Sequence, residues 1–298
     1  MRKTPSDQLT GIFLFSIAIS LASVQAGIAK YLTSTLPIPE IVWARYFGFF
    51  IISGIFALLK YKFVELWPNK ILQQIVRSIL MIGATFLFTT ATSVMPLANA
   101  TAVIFIYPFL VALVAPIILG EKVHYSSWVA VSFGFFGVLL IIRPGLETFT
   151  WYSILPLTAG LFFGVHLLVT RKLTDDIDPL LLALFTAFLG FIIASFPLPF
   201  IWQSPSLKDL LLLGTVAFIS TASQILTIIA CKKAEMAVLA PFGYVELLSG
   251  VLIGFAMFGH LPDTISWFGM SVILFSGIYI AIFGKKAPAI SRTRPSPH

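Results

Sequence analysis

The sequence predicts an all-α integral membrane protein of ten transmembrane helices, arranged as two inverted five-helix repeats with both termini cytoplasmic. Three observations predict it. The 298 residues are 58% hydrophobic and only 10% charged, with a mean hydropathy of +0.99, whereas a soluble domain is about 25% charged. Such a chain cannot cover itself with water-facing groups, so the bilayer is its solvent. The apolar runs are about 20 residues long, the length of a helical span and not of the short alternating strands of a membrane barrel. The third observation is an internal repeat.

The spans follow in order, separated by short polar connections and prolines. The first, about 9–31, lies between the Arg2-Lys3 pair and Pro37. Its stretch Ala22-Ser23-Val24-Gln25-Ala26 resembles a secretory cleavage site, but removal would leave nine spans and break the repeat, so retention is expected. The second, about 40–60, ends on Lys60 and Lys62; the third, about 74–94, ends before Pro96. The fourth, about 98–119, runs to Gly120, and the fifth, about 125–143, stops at Arg143-Pro144. The sixth, about 151–171, closes on Arg171-Lys172, and the seventh, about 179–202, opens at Pro179 and stops before Pro205. The eighth, about 209–231, ends on Lys232-Lys233, and Pro262 divides the ninth, about 236–258, from the tenth, about 264–284. Residues 285–298 have three prolines and no periodicity, and are expected to be a disordered cytoplasmic tail.

Basic residues set the orientation. Fifteen lysines and arginines fall on the segments that include both termini, three (Lys30, Arg143 and Lys208) on the opposite side, and Arg45 inside a span. The net charge of +7 therefore reports topology and not nucleic-acid binding. At an offset of 139, Ala98 meets Ala237, Gly120 meets Gly259, Trp128 meets Trp267, Ser132 meets Ser271 and Phe136 meets Phe275. The register holds across two consecutive spans, which divides the chain into repeats at 9–145 and 151–284. Five is odd, so the second repeat is upside down relative to the first, a recurring design for transporters with a midplane site.

Other classes find little support. There is no His-Glu-x-x-His, Gly-x-Ser-x-Gly or phosphate-binding Gly-x-x-x-x-Gly-Lys sequence. Four scattered histidines have no metal-ligand spacing, and the lone Cys231 permits no internal disulfide. No cofactor or metal is expected.

Glu246 is the one acid inside an apolar span, about ten residues from each end of the ninth. A carboxylate at that depth costs roughly 2.5–3.5 kcal/mol on insertion scales, so it points to a substrate cation or a coupling proton; a buried ion pair is the structural alternative. Arg45 suits a substrate carboxylate through its planar fork, or else snorkels to the interface. Tyr107 maps onto Glu246 at offset 139 and is followed by Pro108, so the two would converge from opposite halves. Tyr244 precedes Glu246 by two residues and points to another face. His166, in the sixth span, fits a core imidazole or a proton relay, and Gln224, in the eighth, is the costliest of the uncharged polar groups to bury.

Several stretches resemble the EamA family of the drug/metabolite transporter superfamily over residues 9–284: the five-plus-five layout, Gly120-Glu121-Lys122, and Gly134 to Pro144. Others resemble bacterial S-adenosylmethionine transporters of that superfamily. They are Glu40-Ile41-Val42-Trp43-Ala44-Arg45-Tyr46-Phe47, Arg77-Ser78, and Ala240-Pro241-Phe242-Gly243-Tyr244-Val245-Glu246-Leu247, where Gly243 stands in place of a basic residue. The resemblance implies movement of small organic metabolites across a bacterial-type inner membrane. With Arg45 and Glu246 of opposite charge, the expectation is alternating-access transport of an amino acid or an amino-acid derivative, with S-adenosylmethionine as one candidate. Proton coupling or exchange would fit the same acid. The alternatives are an exporter of drugs or other metabolites and, in another class, a membrane scaffold, a sensor or an intramembrane enzyme.

Overall fold

Prolines, glycines and a few capping side chains set the helix ends. The computed structural model describes residues 5–62, 70–107, 125–143, 151–173, 176–233, 242–243 and 245–283, all helical or turn with no strand among them. The helices are α1 (Pro5–Leu32), α2 (Ile38–Lys60), α3 (Ile71–Val94), α4 (Leu97–Ile104), α5 (Tyr125–Ile142), α6 (Ile154–Leu173), α7 (Pro179–Ser195), α8 (Leu198–Ile201), α9 (Leu207–Lys233), α10 (Val245–Phe258) and α11 (Thr264–Phe283). A 3-10 turn, Trp151–Ser153, leads into α6. Among the described residues, five segments are long and apolar enough to cross a membrane on their own: Asp7–Leu32, Ile38–Lys60, Ile71–Val94, Trp151–Thr170 and Leu207–Thr227.

Local chemistry explains the ends. Pro37 precedes α2, and its fixed φ suits a helix start. Asp178 caps α7, its side chain accepting from Leu180 N at 2.8 Å, with Pro179 behind it. Ser206 and Asp209 close a reciprocal box at the head of α9: Ser206 N donates to Asp209 at 3.2 Å and Asp209 N to the Ser206 hydroxyl at 3.2 Å. Gly259 follows α10 at φ +68°, a left-handed stop that glycine takes without a Cβ clash.

Expected spans are interrupted among the described residues. The run 179–202 breaks at Phe196-Pro197 into α7 and α8, because Pro197 lacks the N–H that continues a helix. In the run 98–119, α4 stops at Ile104, Phe105 and Ile106 turn, and Tyr107 resumes helical backbone. The rest of that run, the segment 234–241 and the expected tail lie outside the described residues.

The helices associate through close backbone approach, as helices in lipid do. Gly137 of α5 and Gly269 of α11 face one another so tightly that a Cβ on either would meet the other's carbonyl oxygen, at 2.8 and 2.7 Å. Gly27 of α1 admits Ile253 and Met257 of α10, and Gly160 of α6 lies against the Ile104 carbonyl that ends α4. The packing pairs are reciprocal between the halves. α1 lies on α9 as α3 lies on α6, α2 on α9 as α3 on α7, and α1 on α10 as α4 on α6; α2 pairs with α7 and α5 with α11. The outward side chains are large and apolar, Leu59, Phe196 and Phe200 among them.

Polar ties join the helices at their ends. Lys30, on α1, donates its ammonium to the carbonyls of Thr92 and Met95 at 2.5 and 2.7 Å, closing the C-terminus of α3. Its nitrogen also lies 5.3 Å from the centre of the Phe258 ring on α10. At the end of the bundle that holds the α7 cap, Lys60 meets Asp178 at 2.9 Å and Lys70 meets Asp176 at 2.5 Å.

Two outcomes follow from this packing. Gly190 of α7 faces the ring of Tyr46, which is buried and bonded to Thr85 at 3.0 Å, and a Cβ there would overlap that ring. Gly190→Ala should cost about 1–3 kcal/mol, read as a lower thermal midpoint in detergent; an unchanged midpoint would refute the tight fit. The second concerns Asp263, before α11, which Arg143 at the end of α5 contacts directly. That guanidinium, with Ser266, holds the Asp263 carboxyl down to about 2 from 3.8. The stabilisation is complete above pH 3.8 and is lost as pH falls towards 2. Asp263→Asn should lower the midpoint slightly at neutral pH, since an exposed pair is screened. The difference from the parent should vanish on acidification through that window.

Candidate functional site

Two helix breaks meet inside the bundle. Phe242 and Gly243 have 3-10 backbone and α10 starts at Val245, which puts Glu246 in its first turn. Tyr107 resumes helix just past the end of α4. A Cβ on Gly243 would lie 3.6 Å from the Tyr107 hydroxyl, so the two breaks touch at that point. Glu246, expected near the middle of the ninth span, stands in the first turn of α10, where the backbone dipole favours a negative charge.

The neighbours of Glu246 come from α1 and α4. Ser23 of α1 donates to its backbone carbonyl at 3.3 Å, and Ser20 pairs with Ser249 one turn on, at 3.3 Å. Gly250 lies against Thr101 of α4. At 100° per residue, Glu246 shares a stripe with Ser249, Gly250 and Ile253, the face turned to α1 and α4. The carboxylate is half-buried and accepts no hydrogen bond among the described residues.

Arg45 is elsewhere. It lies on α2, half-buried, with its guanidinium carbon 5.9 Å from the centre of the Tyr46 ring. No ion pair joins it to Glu246; α2 lies on α7, α9 and α3, and α10 on α1 and α4. Gln224 of α9 is half-buried, one residue past Ser223, whose hydroxyl donates to Ala18 O of α1 at 2.8 Å. Tyr244 lies outside the described residues, as do Pro108 and Pro241. Among the described residues no three His, Cys, Asp or Glu groups gather as a metal site.

His166 is buried and its Nδ1–H donates to the Arg77 carbonyl at 2.9 Å. An aromatic line connects it to the breaks: Phe163 lies 6.2 Å from His166, nearly parallel, and meets Tyr107 edge-on at 4.9 Å. Tyr107 and His166, expected in separate spans of opposite halves, thus contact one common ring.

The model of the EamA-like transporter family matches this chain twice, over residues 9–143 and 150–283. The chain belongs to that family. The EamA match covers nearly all of the sequence, and the relatives agree with it. A riboflavin transporter of Rhizobium johnstonii is 27% identical across 93% of this chain and 92% of its own. An S-adenosylmethionine uptake transporter of Rickettsia conorii is 25% identical across 94% and 95%, and that of Rickettsia bellii 22% across 93% and 95%. A protein crystal structure superimposes with a TM-score of 0.64 at 14% identity, covering 96% of this chain and 99% of the other, a likeness of fold. This EamA chain is therefore a multi-pass bacterial-type inner-membrane transporter of small metabolites, and not an enzyme.

Sequence reasoning gave two of this EamA protein's buried charges no role. Arg77, on α3, is 4% exposed; it donates to Leu182 O, to Thr186 Oγ1 at 2.6 Å and to Thr170 Oγ1 at 3.4 Å, and its Nε has no partner. No carboxylate pairs with it among the described residues. Its only sequence signal was the Arg77-Ser78 resemblance. Glu40, expected at a span edge, is fully enclosed, with Gln203 N donating to Oε2 at 3.3 Å. Arg77→Lys tests the cluster. A compact ammonium cannot reproduce the fork to α6 and α7, so the variant should unfold at lower temperature; a midpoint matching that of the parent would show that charge alone suffices.

Proposed function

We propose that this transporter moves a cation-bearing, ring-containing amino-acid derivative of the S-adenosylmethionine class by alternating access. The observation that carries the reading is the Glu246 carboxylate, half-buried at the meeting of two helix breaks and without a hydrogen-bond partner among the described residues. An unpaired carboxylate away from water is costly, and a substrate ammonium or sulfonium would offset that cost. Where the resembling transporters carry a basic residue, Gly243 leaves room beside Tyr107 and supplies no internal cation. Tyr107 and Phe163 offer ring faces to an aromatic base. Arg45, which bonds to no carboxylate among the described residues, takes the substrate's own carboxylate in this reading.

Two inverted repeats, 9–145 and 151–284, support the rocking motion. The reciprocal packing of α1–α9 with α3–α6, and of α1–α10 with α4–α6, is what two structurally equivalent halves produce. The family match likewise falls in two stretches, 9–143 and 150–283. In the orientation read from lysine and arginine, both termini face the cytoplasm.

A flavin is the second reading. A relative named as a riboflavin transporter is 27% identical across nearly the whole chain, and the ring line Tyr107–Phe163–His166 suits a flat heterocycle.

Counterflow in proteoliposomes, with S-adenosylmethionine and riboflavin as separate labelled substrates, tests both. The expected result is saturable exchange of S-adenosylmethionine. Glu246→Gln should weaken it by roughly thirtyfold, the loss of about 2 kcal/mol of charge-assisted contact. Its thermal midpoint should stay close to that of the parent, because the carboxylate accepts no hydrogen bond among the described residues. Parental exchange in Glu246→Gln would remove the acid from the site, and riboflavin exchange without S-adenosylmethionine exchange would select the second reading.

A further inference from the structure

The reciprocity of the two halves fails at one end of the bundle. α1 and α2 lie on α9, and α3 lies on α6 and α7, so the helices form two sets. α1 also crosses to α3 and α4, and α2 crosses to α3. These crossings fall where α1 and α3 finish: a Cβ on Gly27 would lie 3.9 Å from Leu97 of α4, and the Tyr46 hydroxyl bonds Thr85 of α3 at 3.0 Å. Their counterparts in the repeat are α6 with α9, α6 with α10 and α7 with α9. No comparable packing joins those pairs among the described residues. The sets are thus drawn together at one end and not at the other.

Lys30 is the charged part of this closure. It stands two residues before the end of α1, and its ammonium donates to the Thr92 and Met95 carbonyls at the end of α3. A cation there meets the negative end of the α3 dipole, an attraction that falls off within the last turn. It therefore acts only while α1 and α3 stay close. Phe258, at the end of α10, lies 5.3 Å from the same nitrogen, so three helix ends gather on one ammonium.

The sequence carries the same arrangement a second time. α6 ends at Leu173 as α1 ends at Leu32, and α9 ends at Lys233 as α3 ends at Val94. Leu32-Thr33 recurs as Leu173-Thr174, and two residues before the end of α6, where α1 has Lys30, stands Arg171.

We propose that Lys30 is a latch that holds the outer end of the transporter shut, and that Arg171 is its counterpart, capping the end of α9 when the inner end closes. Outer and inner are those of the orientation read from lysine and arginine. The latch presupposes the alternating access proposed above and names the charges that balance it. Exchanging one cation at a helix end for another keeps the two conformations close in energy, which lets the minor one be populated.

Hydrogen exchange of the purified full chain in lipid nanodiscs, without added substrate, tests it. The reporters are the amides at the outer ends of α1 and α3, whose exchange scales with the population of the outward-open form. Lys30→Met should raise that exchange about tenfold, the loss of one cation from a helix C-terminus, and Lys30→Arg should keep it near the parental rate. Arg171→Met, at the opposite end of the molecule, should lower it about tenfold, which a local packing defect does not do. That variant also keeps the test decisive if Lys30→Met fails to fold. An unchanged rate in either methionine variant, or a rise in both, would overturn the latches. A cross-link between Lys172→Cys and Lys233→Cys, in a Cys231→Ser background, tells this failure from failure of the transport reading. Holding the inner end shut should raise outer exchange with or without Lys30. If it does while the methionine variants stay silent, the latches alone fall; if it does not, alternating access falls with them.

Discussion

Hydrocarbon offers no hydrogen bonds, so every polar group inside this bundle must find its partner within the protein. Most do. Ser53, Thr85, Thr90 and Thr221 bond back to the carbonyl four residues earlier on their own helices. Lys30 spends its ammonium on the end of α3, and Arg77 most of its fork on α6 and α7. Two carboxylates stand apart from this accounting. Among the described residues Glu246 accepts no hydrogen bond and is half-buried; Glu40 is enclosed with one oxygen unmet.

Close approach is the other half of the design. In lipid, apolar side chains gain little by turning inward, so contact depends on small residues that let backbones meet. Gly137 against Gly269 fixes α5 on α11, and Gly160 against the Ile104 carbonyl sets α6 on the end of α4. That second contact bears on the site. It holds the α4 terminus in place, so Tyr107 resumes its course facing Gly243 and Phe163.

Much of the fold was legible because the bilayer imposes a simple code of apolar length and flanking charge. α1, α2, α3, α5, α6, α9 and α11 begin and end within a few residues of their apolar runs, and Pro37, Pro179 and Gly259 mark boundaries for the reasons that govern any helix. Hydropathy could not see the interruptions. A run such as 98–119 reads the same whether or not the backbone turns at Phe105, since the side chains stay apolar. The isolation of Glu246 was visible as one acid in a long apolar run, but its place at a helix start was not. Depth at the span ends was also hidden. Glu40 occupies an edge in sequence and the interior in space, because the backbone at Gln203, 163 residues away, closes over it. Arg77 resembled another basic residue of a polar connection; its burial depends on Leu182 and Thr186, which no local pattern ties to it.

Lys30 also constrains how the chain is made. Its two acceptors, Thr92 and Met95, lie 62 and 65 residues further along. At roughly 5–20 residues per second, a ribosome delivers them several seconds after Lys30 itself. Through that interval the ammonium must stay with water and headgroups, which its long stem permits from a position two residues short of the end of α1. The tie between α1 and the end of α3 therefore closes only when the third helix has been synthesised, so the order of translation bears on how this bundle assembles.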